Sequence, residues 1–229
     1  MNAAIIVAAG KSQRMGAGMD KMFLEFEGRP VVGWTWSRFD RCGLFAEIIL
    51  VVRAERELEF RELADGLALA TPFRLVAGGE ERQDSVWNGL EAVSKGVDLV
   101  AIQDGARPCT SAALIRDCLG AARETGAAVA AQRMTDTIKE SRSGRCIDRH
   151  LDRSLLWAVQ TPQCFRTDVI WRALLAVRER GLHITDDTAA CEMIGQPVRL
   201  VPSAEPNPKL TSPSDRDYLA WLLREQGMA

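Results

Sequence analysis

The sequence predicts an α/β fold: a mostly parallel twisted sheet with helices on both faces and an inserted β-hairpin arm. Three observations carry this expectation. Apolar runs of strand length alternate with segments of helical period along most of the chain. Runs such as Glu47–Val52 are apolar almost throughout, as strands buried on both faces are. The alternation breaks once, between Asp136 and Arg153, and then resumes.

The elements follow in order. Ala3–Ala8 reads as a strand. Pro30 at a helix start, followed by Val31, Trp34 and Phe39, marks a helix. Glu47–Val52 is a buried strand, Glu55–Ala64 a charged helix and Phe73–Val76 a strand. Val86, Leu90 and Val93 share one face of a helix over roughly Glu81–Lys95. Leu99–Gln103 is a strand, Ser111–Thr125 a helix and Ala127–Ala131 a strand. From Asp136 to Arg153 large apolar residues are few and Ser141-Arg142-Ser143-Gly144 makes a polar turn, which predicts the hairpin arm. A solitary hairpin is marginally stable, so the arm is expected to pack on something, a second subunit being the natural candidate. Leu155–Val159 is then a strand, Thr167–Arg180 and Thr185–Ile194 are helices, and Val198–Val201 is a strand. Ser212, Pro213 and Asp215 open a last helix that ends near Gly227. With no internal repeat and no low-complexity linker, residues 1–229 read as one domain with 136–153 protruding from it.

Composition excludes several classes. The 229 residues are 47% apolar and 26% charged, which rules out a disordered or collagen-like chain. Twenty-nine Lys and Arg against 31 Asp and Glu leave a net charge of −2, without the basic excess of a nucleic-acid binder. Neither of the longest apolar runs, Ala3–Ala9 and Ile48–Val52, is long enough for a membrane span or a signal peptide, so a cytoplasmic location is expected. The six cysteines have no CxxC or zinc-ligand spacing and read as reduced, mostly buried residues. His150 and His183 are the only histidines, which excludes a His-rich metal site.

Chemistry is concentrated where strands end. Ala8-Ala9-Gly10-Lys11-Ser12-Gln13-Arg14-Met15-Gly16 follows the first strand, and its small residues let backbone N–H groups come close to a base or phosphate. Arg14 and Lys21 add two cations, a combination that suits a nucleoside triphosphate. Neither the Walker A pattern nor GxGxxG is present, and an ordinary turn with solvated charges is the plain alternative. Gly78-Gly79-Glu80-Glu81-Arg82-Gln83-Asp84-Ser85 opens a helix whose N–H groups suit an anion or a base carbonyl, or serve simple capping. Gln103-Asp104-Gly105-Ala106-Arg107-Pro108 offers a carboxylate for Mg²⁺ or a ribose hydroxyl and an Arg for a phosphate; a surface ion pair is the bland reading. The arm has five basic and three acidic residues between 139 and 153, as a solvated hairpin also would. Thr161-Pro162-Gln163, Thr185-Asp186-Asp187 and Lys209-Leu210-Thr211 complete the set, with Thr185 and Asp186 reading first as a helix cap.

In this order the motifs resemble the 2-C-methyl-D-erythritol 4-phosphate cytidylyltransferases of the non-mevalonate isoprenoid pathway, from about Ile5 to Leu219. The AAG…RM loop is shared with many nucleotidyltransferases; GGEERQDSV, DGARP, DTIK, DRSLLWAVQTPQ, ITDD and PKLTSPSD narrow the match. The resemblance implies a Rossmann-like fold of the nucleotide-diphospho-sugar transferase type, CTP as co-substrate, Mg²⁺ or another divalent cation, and a homodimer built through the arm. It assigns Arg14 and Lys21 to transition-state stabilisation and Ala8, Ala9, Gly10, Gly79 and Ser85 to the nucleoside. Asp104 is assigned to the ribose and metal. Arg107, Thr137, Arg153 and Thr185 are assigned to the polyol phosphate, with Arg107 and Thr137 lent by a partner's arm. Lys209 is assigned to the α-phosphate and the substrate phosphate. Val7, Asp20, Gln103, Gly105 and Pro208 depart from the usual pattern, and none of these changes removes a charge from the site. The alternatives are a ribitol 5-phosphate cytidylyltransferase and, from another class, a catalytically silent nucleotide-binding regulatory domain.

Overall fold

The computed structural model describes residues 1–10 and 20–226. A seven-stranded sheet forms its centre. Its strands are β1 (Asn2–Val7), β4 (Glu47–Val52), β5 (Phe73–Ala77), β6 (Leu99–Asp104), β7 (Ala127–Arg133), β10 (Trp157–Arg166) and β11 (Arg199–Pro202), in the spatial order β11-β7-β10-β6-β1-β4-β5. Two short pairs lie outside it, β2 (Glu25–Phe26) with β3 (Arg29–Pro30) and β8 (Ile138–Glu140) with β9 (Arg149–Leu151).

The period of two along the strands sorts side chains between two cores. Ala4, Ile6, Leu50 and Val52 face one side, where α1 (Val31–Arg41), α2 (Glu57–Leu67), α4 (Ala112–Thr125) and α7 (Arg216–Glu225) pack. Ala3, Ile5, Val7, Ile49 and Val51 face the other, under α3 (Arg82–Glu91), α5 (Thr167–Glu179) and α6 (Asp187–Met193). Both faces are therefore dry, which is why β1 and β4 read as near-continuous apolar runs.

Every pairing in the sheet is parallel except those of β10, which runs antiparallel to both β6 and β7. The chain leaves β7 toward the arm and returns directly along β10 without a crossover helix, so the direction must reverse. Here the expected strand Leu155–Val159 is corrected: residues 153–155 form a 3₁₀ turn, and the strand extends to Arg166 with its register shifting between Val159 and Gln163. Gln160, Thr161 and Gln163 are polar yet buried in this strand, so the apolar signal stops before the strand does.

Smaller shifts occur at helix ends. Pro30 is the residue before α1, not its first residue. The charged helix begins at Glu57 after a 3₁₀ turn at Ala54–Arg56. Ser212 and Asp215 form the anticipated reciprocal cap, around a 3₁₀ turn that leads into α7. No helix among the described residues is long and apolar enough to cross a membrane.

Candidate active site

A cleft of about 890 Å³ opens at the carboxyl ends of β1, β4, β5 and β6, the edge where open α/β sheets bind ligands. Each wall comes from a strand-end segment: Ala9 and Gly10 after β1, Arg53 to Glu55 after β4, Gly78 to Arg82 and Ser85 after β5, and Asp104 to Ala106 after β6. Lys21, Lys209 and Thr211 come from other segments. Arg14 lies outside the described residues.

The glycine-rich wall is held tightly. A Cβ at Gly78 would stand 2.4 Å from the Ala9 Cβ, and one at Gly79 would stand 2.3 Å from the Asp84 Cβ, so close approach demands glycine at both. The Gly79 N–H donates to Ser85 Oγ at 3.1 Å, and Glu81 with Asp84 caps the start of α3. Ala9, Gly10, Gly79 and Ser85 thus line one cleft. Ala8 does not line it: the residue is buried and its N–H donates to the Val51 carbonyl at 2.7 Å.

Asp104 forms the charged floor. Lys209 Nζ stands 2.7 Å from Oδ2, Arg82 Nε 3.5 Å from Oδ1 and Arg107 Nε 3.6 Å from Oδ2. Burial opposes the Asp104 charge, but Lys209, Arg82 and Arg107 outweigh it and hold the carboxyl well below its usual range. Lys21 is buried and its Nζ donates to the Leu210 carbonyl at 3.2 Å, which puts it beside the loop that carries Lys209. The preceding Asp20 accepts from Met22 N–H at 3.0 Å and pairs with Arg53 and Arg56.

Arg107 calls for a correction. It follows β6 directly and belongs to the body of the chain, not to the arm. Its Nη1 donates to the Asn207 carbonyl at 2.6 Å, and it is absent from the cleft lining. Burial lowers its pKa, with Asp104 acting in the opposite direction. Thr137, Arg153 and Thr185 are all exposed and also lie off this cleft. Thr137 precedes β8, Arg153 sits at the end of the arm and donates to the Thr135 carbonyl, and Thr185 precedes Asp186, whose carboxylate caps α6.

The local sequence assigns Arg82 no role, although it stands inside the second motif. Its Nη2 is 2.8 Å from the fully buried Asp187 Oδ2, and it bridges from there to Asp104. Burial opposes the Arg82 charge, and the two carboxylates raise its pKa regardless. Its position as the first helical residue after a Gly-Gly turn at a strand end was the available signal. Asp187 had none, because a helix-capping Asp pair does not announce burial.

The donor set speaks to a metal as well. Among the described residues no group of three or more His, Cys, Asp or Glu is placed to hold an ion. Mg²⁺ takes one or two carboxylates and completes its shell with substrate phosphates and water, so Asp104, whose oxygens face Lys209, Arg82 and Arg107, would hold it only together with a nucleotide's phosphates.

The family model for IspD, 2-C-methyl-D-erythritol 4-phosphate cytidylyltransferase, matches residues 2–224. The chain is 42% identical over 220 residues to the 2-C-methyl-D-erythritol 4-phosphate cytidylyltransferase of Geobacillus kaustophilus, covering 96% of each. It resembles the crystal structure of 2-C-methyl-D-erythritol 4-phosphate cytidylyltransferase from Thermus thermophilus with a TM-score of 0.80 at 32% identity, over 98% of this chain and all of that one. The 4-diphosphocytidyl-2C-methyl-D-erythritol synthase of Anaerococcus prevotii superposes with a TM-score of 0.85 at 28% identity, over 97% of this chain and 98% of that one.

Proposed function

The chain belongs to the IspD family, 2-C-methyl-D-erythritol 4-phosphate cytidylyltransferase, and from that premise we propose that it transfers CMP from CTP to 2-C-methyl-D-erythritol 4-phosphate. The products are 4-diphosphocytidyl-2-C-methyl-D-erythritol and pyrophosphate. An oxygen of the acceptor's phosphomonoester attacks the α-phosphorus of CTP, the bond to the β-phosphate breaks, and pyrophosphate leaves. The acceptor's second pKa of ~6 makes it a nucleophile at neutral pH without a general base. The barrier is electrostatic, because two polyanions must meet and charge grows on the α-phosphoryl oxygens.

The observation that carries this reading is that Arg82 and Lys209 meet Asp104 in the one cleft that Lys21, Gly78 and Gly79 also line. Ala9, Gly10, Gly79 and Ser85 take the nucleoside. Lys21, with Arg14, neutralises the triphosphate and the growing charge, and Lys209 orients the α-phosphate against the acceptor. Asp104 would hold a divalent cation that screens the phosphates when it accompanies CTP.

The acceptor's phosphate needs further cations, and the arm supplies them in our reading. All of residues 136–153 are exposed except Ile138, Glu140 and Leu151, and among the described residues β8 pairs only with β9. Ile147 is 66% and the adjoining Leu155 77% exposed, a surface suited to burial against a second subunit. In that dimer Arg153 and Thr137 enter the partner's cleft and Thr185 stands at its rim. All six cysteines are free, which suits a reducing, cytoplasmic setting.

The test is pyrophosphate release from CTP and Mg²⁺ with 2-C-methyl-D-erythritol 4-phosphate, run in parallel with ribitol 5-phosphate and with GTP in place of CTP. Release with the methylerythritol acceptor and CTP, and little otherwise, is the expected result. Preference for ribitol 5-phosphate would overturn the acceptor assignment, and no release at all would overturn the reaction.

A further inference from the structure

Lys209 sits on a loop between β11 and the turn at Pro213, and a charge on a loop is only as well placed as the loop's anchors. Asn207 provides those anchors. It is 2% exposed and lies outside the cleft lining. Its Oδ1 accepts from Thr110 Oγ1 at 2.9 Å, and its Nδ2 donates to the Thr161 carbonyl at 2.8 Å and to Gln160 Oε1 at 3.1 Å. Its backbone carbonyl takes the Arg107 bond described above.

These contacts tie the loop to the same groups that hold the cleft floor. Thr161 Oγ1 accepts from the Asp104 N–H at 3.1 Å, so Asp104 and the Lys209 loop are both referenced to one residue of β10. Just beyond Asn207 the loop is secured again, where the Leu210 N–H donates to the Ala106 carbonyl at 2.9 Å. The Leu210 carbonyl in turn receives Lys21. Because the Thr161 carbonyl only accepts, the Asn207 amide has one workable orientation; an aspartate there would face two oxygens with no proton to give. A buried amide with all its bonds made is rigid, and losing one partner leaves the others costly to satisfy.

We infer that Asn207 is a positioning residue for the transfer reaction. Through Thr110, Gln160, Thr161 and Arg107 it sets the loop from which Lys209 faces Asp104 and against which Lys21 is placed. Arg107 then acts from behind the site, on the loop, and not on the substrate. The inference rests on the phosphoryl-transfer reading above, and Asn207 acts through the lysines without touching substrate.

The test uses the full chain with Asn207→Ala and Thr110→Val, each alone and in a Lys209→Ala background. Thr110→Val removes one hydroxyl at nearly constant volume and keeps the question open if Asn207→Ala fails to fold. Two readouts are taken: steady-state pyrophosphate release, and acetylation of Lys209 by a soluble reagent, read by peptide mass spectrometry against the exposed Lys95. Either single variant is expected to lower kcat about tenfold or more, as small misplacement of a reacting group does, with KM for CTP little changed. Each should lower kcat less once Lys209 is alanine, leaving only the part carried through Lys21. Lys209 should acetylate faster relative to Lys95, and Thr110→Ser should bring both readouts back. Unchanged labelling of Lys209, an unchanged kcat, or an equal loss in the Lys209→Ala background each overturn the inference. If wild-type protein releases no pyrophosphate, the reaction reading fails by itself, and the labelling comparison still decides whether Asn207 places Lys209.

Discussion

The cleft floor and the arm are both rich in Arg and Asp, yet the same residue types behave differently in the two places. On the floor, Asp104 is buried and meets three cations within 3.6 Å. Charge removed from water must be matched by neighbours in fixed positions, so removing one member leaves the others uncompensated. On the arm, Arg149 pairs with Glu140 and Lys139 contacts His150 in the open. Such pairs are solvated, contribute little and leave their side chains free to re-partner. The charges of the floor are therefore matched within the described chain, whereas those of the arm stay at the surface, which is the contrast behind our proposal that a second subunit meets the arm.

The largest effect that would break this contrast is at Asp104. Asp104→Asn strands Lys209, Arg82 and Arg107, and should cost about 3–5 kcal/mol of unfolding free energy in denaturant melts. The pH dependence follows from the depressed pKa of Asp104. A carboxyl depressed in the folded state contributes stability above its unfolded value of ~4 and loses it only as pH falls through the lower folded value. The gap between wild type and Asp104→Asn should thus stay constant from pH 7 to 5; a gap that closes in that window would mean Asp104 is not held as described.

Next comes Lys21→Ala, expected to lower kcat by ~10²-fold or more, the usual loss for one transition-state donor. Wild-type turnover in the purified variant would remove Lys21 from the chemistry. Arg153→Ala should be milder and different in kind. We expect KM for the polyol phosphate to rise by about tenfold, the loss of one charge-assisted contact, while CTP binding measured by calorimetry stays near normal. Mixing Arg153→Ala with Lys209→Ala subunits sharpens this, because a shared site regains activity in heterodimers and a self-contained one does not.

The smallest effect is at the arm's tip. Ile147→Ser should change the unfolding free energy of the dilute protein by no more than ~0.5 kcal/mol, as exposed positions do, while weakening self-association in sedimentation experiments. A large loss of monomer stability would mean that the arm packs on its own chain.

Much of the fold was legible because its signals are local. Glu47–Val52 spans the same residues in the sequence reading and in the structure, since the continuous β-branched and Leu run Ile48–Val52, ending at Arg53, marks a buried strand without reference to anything distant. Ser212 and Asp215 announced their cap because capping acts over three residues. β10 runs past its apolar signal for the converse reason: Gln160, Thr161 and Gln163 are satisfied by partners far along the chain, which no local period reveals. In the site, the strand-end position of Asp104 and Gly79 could be read directly, and so could the need for cations. That Arg107 turns inward while Arg82 turns toward the cleft could not.

By itself, the sequence determined the succession of strands and helices, the break where the arm departs, and the supply of small residues and charges at strand ends. These depend on periodicity and on the conformational limits of Gly and Pro, both of which act within a few residues. Tertiary structure alone decided which charges face one another and which polar side chains, Asn207 above all, are consumed in holding them there. Such choices belong to chain closure, which brings residues of β6, β10 and the Lys209 loop within hydrogen-bonding distance and makes each buried polar group find its partner.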